Sequence, residues 1–413
     1  MKNNRTFLEK LLNGAEVEWK TLDEIFHLKN GYTPSKGVKE YWENGSIPWF
    51  RMEDIRENGR VLNTALQKVS ESAVKGGRLF PANSIILSTT ATIGEHALVQ
   101  VEHLSNQQLT NFSIKEEFLK CLDIKFAFHY FFLIGNQIKK SANFSSLPIV
   151  SSKDLKKIQM PIPPLSVQTE IVKILDALTA LTSELTSELT LRRKQYEYYR
   201  EKLLSVDNLK LSTENIQWVK LNDLGELIRG NGLQKKDFTE TGVPAIHYGQ
   251  IYTYYGTFAT KTKSFVSPEL AKKLKKVDCG DVVITNTSEN FEDVGKALVY
   301  LGTDQAVTGG HATIFKPNHE KILSKYFVYL TQTSFFTNEK RKYAKGTKVI
   351  DVSATDMAKI ILPIPPLEEQ QRIVSILDKF ETLTNSITEG LPLAIEQSQK
   401  RYEYYRELLL DFS

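Results

Sequence analysis

Lysine and arginine supply most of the chemistry this sequence could do, and they gather in groups with aromatic residues among them. The first group comprises Lys29, Lys36, Arg51, Arg60, Lys75 and Arg78, with Tyr32 in its midst. The second comprises Arg229, Lys235, Lys236, Lys261 and Lys263, then a lysine run at 272, 273, 275 and 276. It closes with Lys340, Arg341, Lys342, Lys345 and Lys348. Ammonium and guanidinium groups pair with phosphate oxygens, and Arg, Asn and Gln make paired hydrogen bonds to base edges. The implied chemistry is contact with a nucleic acid. For any one of these residues a solvated surface is the bland reading, and only the clustering in both halves favours binding. The formal net charge of +4, from 53 basic and 49 acidic residues, is too mild to decide the matter.

Catalytic patterns are missing. No phosphate loop of the GxxxxGK[ST] type occurs, and Gly230-Asn231-Gly232 is not a dinucleotide fingerprint. The seven histidines include no pair with metal-ligand spacing on a helix and read as isolated core or surface residues. Ile162-Pro163-Pro164-Leu165 lacks the acidic or amide residue and the aromatic that an amino-methylating site places around Pro-Pro. Cys121 and Cys279 are far apart, so a disulfide framework is not expected and a reducing cytoplasm is the simplest location. The apolar run from Phe126 to Gly135 contains His129 and is too short to span a bilayer, so no membrane partner is expected.

The elements that would position the basic groups come in duplicate. Residues 150–176, VSSKDLKKIQMPIPPLSVQTEIVKILD, align without a gap on residues 352–378, VSATDMAKIILPIPPLEEQQRIVSILD. QYEYYREKLL at 195–204 matches RYEYYRELLL at 401–410. Fainter echoes precede these blocks: Trp19 with Trp218, Ile47-Pro48 with Val243-Pro244, and Ser84–Ser88 with Asp281–Thr285. The layout is variable, constant, variable, constant, as expected of two domains doing parallel jobs on different targets.

Each constant block reads as a long helix. Behind Pro163-Pro164, apolar residues recur at steps of three and four: Ile171, Ile174, Leu175, Leu178, Leu181, Leu185, Leu189, Tyr196, Tyr199 and Leu203. The tandem TSEL-TSEL at 182–189 gives this stripe a four-residue stutter. The second stripe runs through Ile373, Ile376, Leu377, Phe380, Leu383, Ile387, Tyr402, Tyr405 and Leu409, with Gly390 and Pro392 expected to kink or split it. A single apolar stripe needs a partner, and under a pseudo-two-fold relation the two helices would pack antiparallel. The variable segments mix strand-like runs such as Asp281–Thr285 and Ala297–Leu301 with a helix over 325–333, which predicts α+β domains of mostly antiparallel strands.

The paired PIPPL-to-helix blocks with their YEYYRE ends resemble the specificity subunit of type I restriction–modification systems. TSEL-TSEL is similar to the four-residue repeats in the central helix of one branch of that family. The resemblance implies an α+β fold with two target-recognition domains in pseudo-two-fold repeat, separated by two long antiparallel coiled-coil helices. The segments would be a first recognition domain at 1–160, a central helix at 161–205, a second domain at 206–362 and a C-terminal helix at 363–413. It implies a non-catalytic protein that reads a bipartite asymmetric site on double-stranded DNA. Two methyltransferase subunits would dock on the helices and motor-endonuclease subunits outside them. S-adenosylmethionine, ATP and Mg would sit on those partners. Gln168, Ile171, Leu178, Leu185, Leu189, Tyr196, Tyr199, Gln370, Ile373, Tyr402 and Tyr405 would be helix-pairing or partner-docking positions. A stand-alone DNA-modifying enzyme and a coiled-coil scaffold without DNA affinity are the alternatives.

Overall fold

A computed structural model describes residues 2–90, 92–142, 150–386 and 388–412, excepting the side chains of residues 2–6 and 142. By its contacts the chain divides into two compact units, one of residues 1–183 with 397–413 and one of residues 184–396. This division runs across both constant blocks rather than around them.

Among its described residues the first unit holds ten strands: β1 (Glu18–Thr21), β2 (Phe26–Asn30), β3 (Ile47–Phe50), β4 (Val61–Leu62), β5 (Lys68–Val69), β6 (Ser84–Ser88), β7 (His96–Val99), β8 (Leu104–Ser105), β9 (Leu109–Ile114) and β10 (Gln159–Ile162). They form a five-stranded sheet in the order β2-β9-β6-β7-β4, a three-stranded sheet β5-β3-β8, and a ribbon β1-β10. Pairing is antiparallel except for β4 with β7 and β3 with β8. Central β6 is buried on both faces, and the two-residue period of a strand sorts its side chains. Ile85 and Leu87 enter the large core with Phe126, Phe131 and Ile134 of the helix Ile124–Ala142, whereas Ile86 enters a smaller core with Phe50 and Val99.

The second unit repeats this plan with thirteen strands among its described residues: β11 (Gln217–Lys220), β12 (Gly225–Arg229), β13 (Val243–Ile246), β14 (Phe258–Ala259), β15 (Ser264–Val266), β16 (Lys275–Val277), β17 (Val282–Thr285), β18 (Thr287–Ser288), β19 (Ala297–Tyr300), β20 (Ala306–Thr308), β21 (Ala312–Pro317), β22 (Ile350–Asp351) and β23 (Ile361–Ile364). The sheet β12-β21-β17-β19-β14 matches that of the first unit strand for strand, and β15-β13-β20 matches β5-β3-β8 with β16 added at the edge. The expected runs at 84–88, 281–285 and 297–301 are β6, β17 and β19, and the helix expected over 325–333 is Ser324–Thr331. Trp19 lies opposite Pro161 in the ribbon β1-β10, and Trp218 lies opposite Pro363 in β11-β23. The faint tryptophan echo therefore marks a common position.

The first constant block is one helix, Leu165–Leu203, of 39 residues and about 58 Å. The second is split into Leu367–Asn385 and Leu391–Leu410. Gly390 lies between them at φ 85°, and a side chain there would run into the Thr382 and Leu383 carbonyls. Within the second unit, Arg193 donates to the Thr384 carbonyl and Tyr196 to Glu381. As one helix advances its partner recedes, so they run antiparallel there. Within the first unit the same sense holds: Thr182 meets Ser398 at 2.9 Å, and Tyr402 meets the helix Ile124–Ala142 at His129. The stripe is not evenly buried. Ile171, Leu175 and Ile373 are fully buried in their own cores, Leu178, Leu185 and Leu189 are half-buried, and Leu181 is exposed. Around Leu181 the helix has left the first core, and small hydroxyls take over the pairing at Thr182 and Ser398. Ile387 lies outside the described residues.

Candidate nucleic-acid interface and helix junctions

At one end of each five-stranded sheet several loops are laced together by the same hydrogen bonds. In the first unit, Gly31 N–H donates to the Leu109 carbonyl at 2.9 Å, Thr89 N–H to Gln108 at 3.1 Å, and Val150 N–H to Thr89 at 3.1 Å. In the second, Gly230 donates to Ala312 at 2.9 Å, Asn286 to His311 at 2.9 Å, and Val352 to Asn286 at 3.0 Å. Both glycines are forced by close approach: a Cβ on Gly31 would strike the Ser105 and Asn106 carbonyls, and one on Gly230 the Gly309 carbonyl. The side chains on this common frame differ. Arg51 stands where the second unit has His247, each directly after the matching strand β3 or β13, and Gln108 stands where it has His311.

Several of the expected basic residues meet around these loops. Lys36 and Arg51 line one groove with Trp42, Trp49 and Gln67, and Lys29, Lys75 and Arg78 line another with Tyr32. The Arg51 guanidinium lies 5.5 Å from the Trp49 ring centre and the Lys75 ammonium 4.9 Å from that of Tyr32. In the second unit Arg229 donates to the Gly310 carbonyl at 3.1 Å, and the charge of Lys235 is felt at His247. Lys236, Lys261 and Lys348 are exposed, Lys263 covers Tyr254, Arg341 covers Phe291, and Lys345 pairs with Asp356 at 2.8 Å.

Two basic residues belong elsewhere. Arg60 is half-buried, donates to the His96 carbonyl at 3.0 Å and stacks on Phe132, so it braces the core instead of joining a groove. Lys340 is 3% exposed, donates to the Val294 carbonyl, and burial brings its pKa down to about 8. Nor are all histidines isolated. The Tyr248 ring lies 4.5 Å from His247 and 4.9 Å from His311, and Thr287 meets His311 at 2.8 Å. Burial, aided by the nearby charges of His311 and Lys235, lowers the His247 pKa. His96 and His103 are core residues. The one available signal for this surface was the amide-rich run Asn106-Gln107-Gln108, which sits at the turn between β8 and β9.

The expected docking residues of the helices are largely spent inside their own units. Gln168 is fully buried; its amide donates to Cys121 and Pro163 carbonyls, both at 2.7 Å, and its carbonyl accepts from Asp123 N–H at 2.8 Å. Gln370 repeats this with Lys321, Pro365 and Leu323, each at 2.9 Å. Two turns beyond, Asp176 accepts from Lys125 at 2.7 Å and His129 at 3.0 Å. Asp378 accepts from Lys325 at 2.7 Å and Tyr329 at 2.6 Å. Those donors hold the Asp176 carboxyl below its ordinary range, the His129 bond foremost. On its other side the His129 ring meets the Tyr402 hydroxyl, 3.3 Å from Nδ1. Tyr196 is buried and donates to Glu381 at 2.9 Å, while Tyr199 stacks on Phe380. Tyr405 remains exposed. Of these residues, Tyr196 and Tyr199 pair the end of one constant helix with the start of the other, while Gln168 and Gln370 fasten each helix start to the turns of its own unit.

Among the described residues no group of three His, Cys, Asp or Glu side chains could hold a metal ion, and no helix is long and apolar enough to cross a membrane. Fold and site together define a tandemly duplicated α+β protein, each half presenting a basic, amide- and aromatic-lined loop surface beside a helix junction. The chain belongs to the family of the type I restriction modification DNA specificity domain, whose model matches residues 15–191 and again 213–397. It is 38% identical over 405 residues to the Escherichia coli type I restriction enzyme EcoprrI specificity subunit, covering 93% of this chain and 92% of that one. It is also 38% identical over 429 residues to a putative type I restriction enzyme specificity subunit of Haemophilus influenzae, with both chains fully covered. Among solved structures, a chain described under the assembly and conformational transition of the type I R-M system has the same fold, with a TM-score of 0.61, 18% identity and coverage of 96% and 98%. The type I S subunit from M. genitalium matches with a TM-score of 0.53, 17% identity and coverage of 97% and 98%.

Proposed function

We propose that this chain is the DNA-reading subunit of a type I restriction–modification complex and does no catalysis itself. Each unit reads one half of a bipartite, asymmetric site on double-stranded DNA, and the chain joins other subunits to that site. The observation that carries this reading is the pair of identical loop frames bearing different side chains, Arg51 and Gln108 against His247 and His311. One scaffold used twice with different surfaces is what two different half-sites require. Two methyltransferase subunits and motor-endonuclease subunits are its partners, acting in the cytoplasm, and S-adenosylmethionine, ATP and Mg belong to them. Membership of the family and full-length likeness to specificity subunits support this.

Replacing residues 215–350 by those of a relative tests it. Methylome sequencing of a host carrying the complex should show one half-site changed and the other kept. Simultaneous change of both half-sites would contradict the one-unit, one-half-site reading. The purified chain alone, given DNA and S-adenosylmethionine, should methylate nothing.

A further inference from the structure

Two diverged domains on one frame show where their specificities must differ. Buried positions on the frame are tied down by packing, and most exposed lysines offer a point charge that serves any sequence equally. Readers of bases need more: a donor or acceptor in fixed geometry, on a loop the frame holds rigid, with hydrogen-bonding groups left over. Positions 51/247 and 108/311 meet these conditions in both units.

Arg51 is anchored through its backbone N–H to Asp54 at 2.7 Å, and its guanidinium is seated on Trp49. Its Nε has no hydrogen-bond partner, and the Glu53 carboxylate stands 3.8 Å from it. A flat guanidinium held this way keeps its terminal N–H groups for a ligand. His247 uses the same anchor, its N–H on Gln250 at 3.4 Å, and is wedged between Phe238 and Tyr248. Its Nδ1 accepts from Gly249 N–H at 3.2 Å, which puts the proton of the neutral ring on Nε2 as a donor. Gln108 and His311 follow β8 and β20 on the adjoining turn and are exposed. The Gln108 carbonyl accepts from Asn106 at 3.2 Å, leaving its amide N–H groups unspent. A second sign points to the same loops: the side chains of Thr90 and Asn286, next to the Thr89–Gln108 and Asn286–His311 bonds, each have a buried polar atom without a partner.

We infer that Arg51 with Gln108, and His247 with His311, are the base-reading pairs of the two half-sites. The assignment rests on the DNA-reading role proposed above. Arg51 takes the two acceptors of guanine in the major groove, Gln108 the donor–acceptor edge of adenine, and His247 donates from Nε2 to a purine acceptor. The flanking Lys36, Lys75, Arg78 and Lys235 hold phosphates and set register.

The test uses the full chain co-expressed with the methyltransferase subunit of a type I restriction–modification system, read by methylome sequencing. Arg51→Gln should cost about tenfold discrimination at one base pair of one half-site, leaving the other half-site intact. His247→Arg should alter one position of the opposite half-site only. Should Arg51→Gln fail to fold by thermal melting, the exposed Gln108→Asn carries the same expectation for the first half-site. Unchanged motifs in active variants, or methylation lowered uniformly over all sites, would overturn the assignment and make these side chains phosphate contacts or framework. If the unaltered chain gave no bipartite methylation, the DNA-reading role would fall and take this assignment with it.

Discussion

At the scale of single residues, chemistry was legible wherever type alone decides it. The lysines and arginines of the two groups could be listed from the sequence, but their partners could not. Nothing near residue 60 announces that Arg60 will brace His96 and Phe132, and His247 and His311, 64 positions apart in the chain, meet through Tyr248. His96 carries a consequence of its own. It is fully buried, with Nε2 3.1 Å from the Phe128 carbonyl, and burial, then the charge of Arg60, brings its pKa down to about 3. An unfolded histidine titrates near 6.5. Below that pH the unfolded chain takes up a proton that the folded one refuses. The first unit is therefore fully stabilised above about pH 6.5 and weakens as pH falls toward 3, by up to about 1.4 kcal/mol per pH unit. His103, lowered mainly by burial as well, adds in the same sense. In the second unit Ala297 stands where His96 does. Hydrogen exchange between pH 7 and 5 should show the first unit's sheet losing protection faster than the second's, and His96→Leu should flatten that dependence. An unchanged slope in the variant would remove His96 as its source.

At the scale of elements, period and punctuation were enough for the strands β6, β17 and β19 and for the extent of the helix Leu165–Leu203. Gly390 and Pro392 announced the split in the second constant block, because a left-handed glycine and a proline both interrupt helical geometry. What periodicity could not reveal is how each helix is fastened. A glutamine on an apolar stripe reads as a tolerated polar residue, yet Gln168 and Gln370 each satisfy one N–H and two carbonyls of the turns beside them. Gln168→Leu would keep the volume roughly and strand all three groups. Each stranded buried group costs about 1–3 kcal/mol, so urea denaturation should report a loss of at least about 2 kcal/mol for the first unit. Gln370→Leu should do the same to the second. A loss below about 0.5 kcal/mol in both would mean that water replaces the amide and that the packing of Ile171 and Ile373 alone fastens the helices.

At the scale of the whole molecule the duplication was plain in the sequence, while the exchange of helix ends was not. Leu409 and Leu410 enter the first core with Leu8, and Leu204 and Leu209, just past the helix Leu165–Leu203, enter the second, so each core is completed by the chain at the far end of the helix that the other domain begins. Sequence similarity shows two copies but not which copy receives which end. The TSEL tandem lies in the helix Leu165–Leu203, between Thr182 and Leu189, where that helix passes from one unit to the other. A third TSEL would insert four residues without breaking the apolar stripe, because leucine recurs every four. At about 100° and 1.5 Å per residue, one end of the helix would turn roughly 40° beyond a full turn and advance about 6 Å against the other. B-DNA turns roughly 35° and rises about 3.4 Å per base pair. The rotation corresponds to one base pair and the rise to nearly two. Rotation governs, because a surface that faces away from its groove reads nothing, whereas a few ångströms along the axis can be taken up by sliding. The expected outcome is the same two half-sites with one more base pair between them. Methylome sequencing of a strain carrying the insertion would reveal it, and an unchanged spacer would show that this helix does not measure the distance between half-sites.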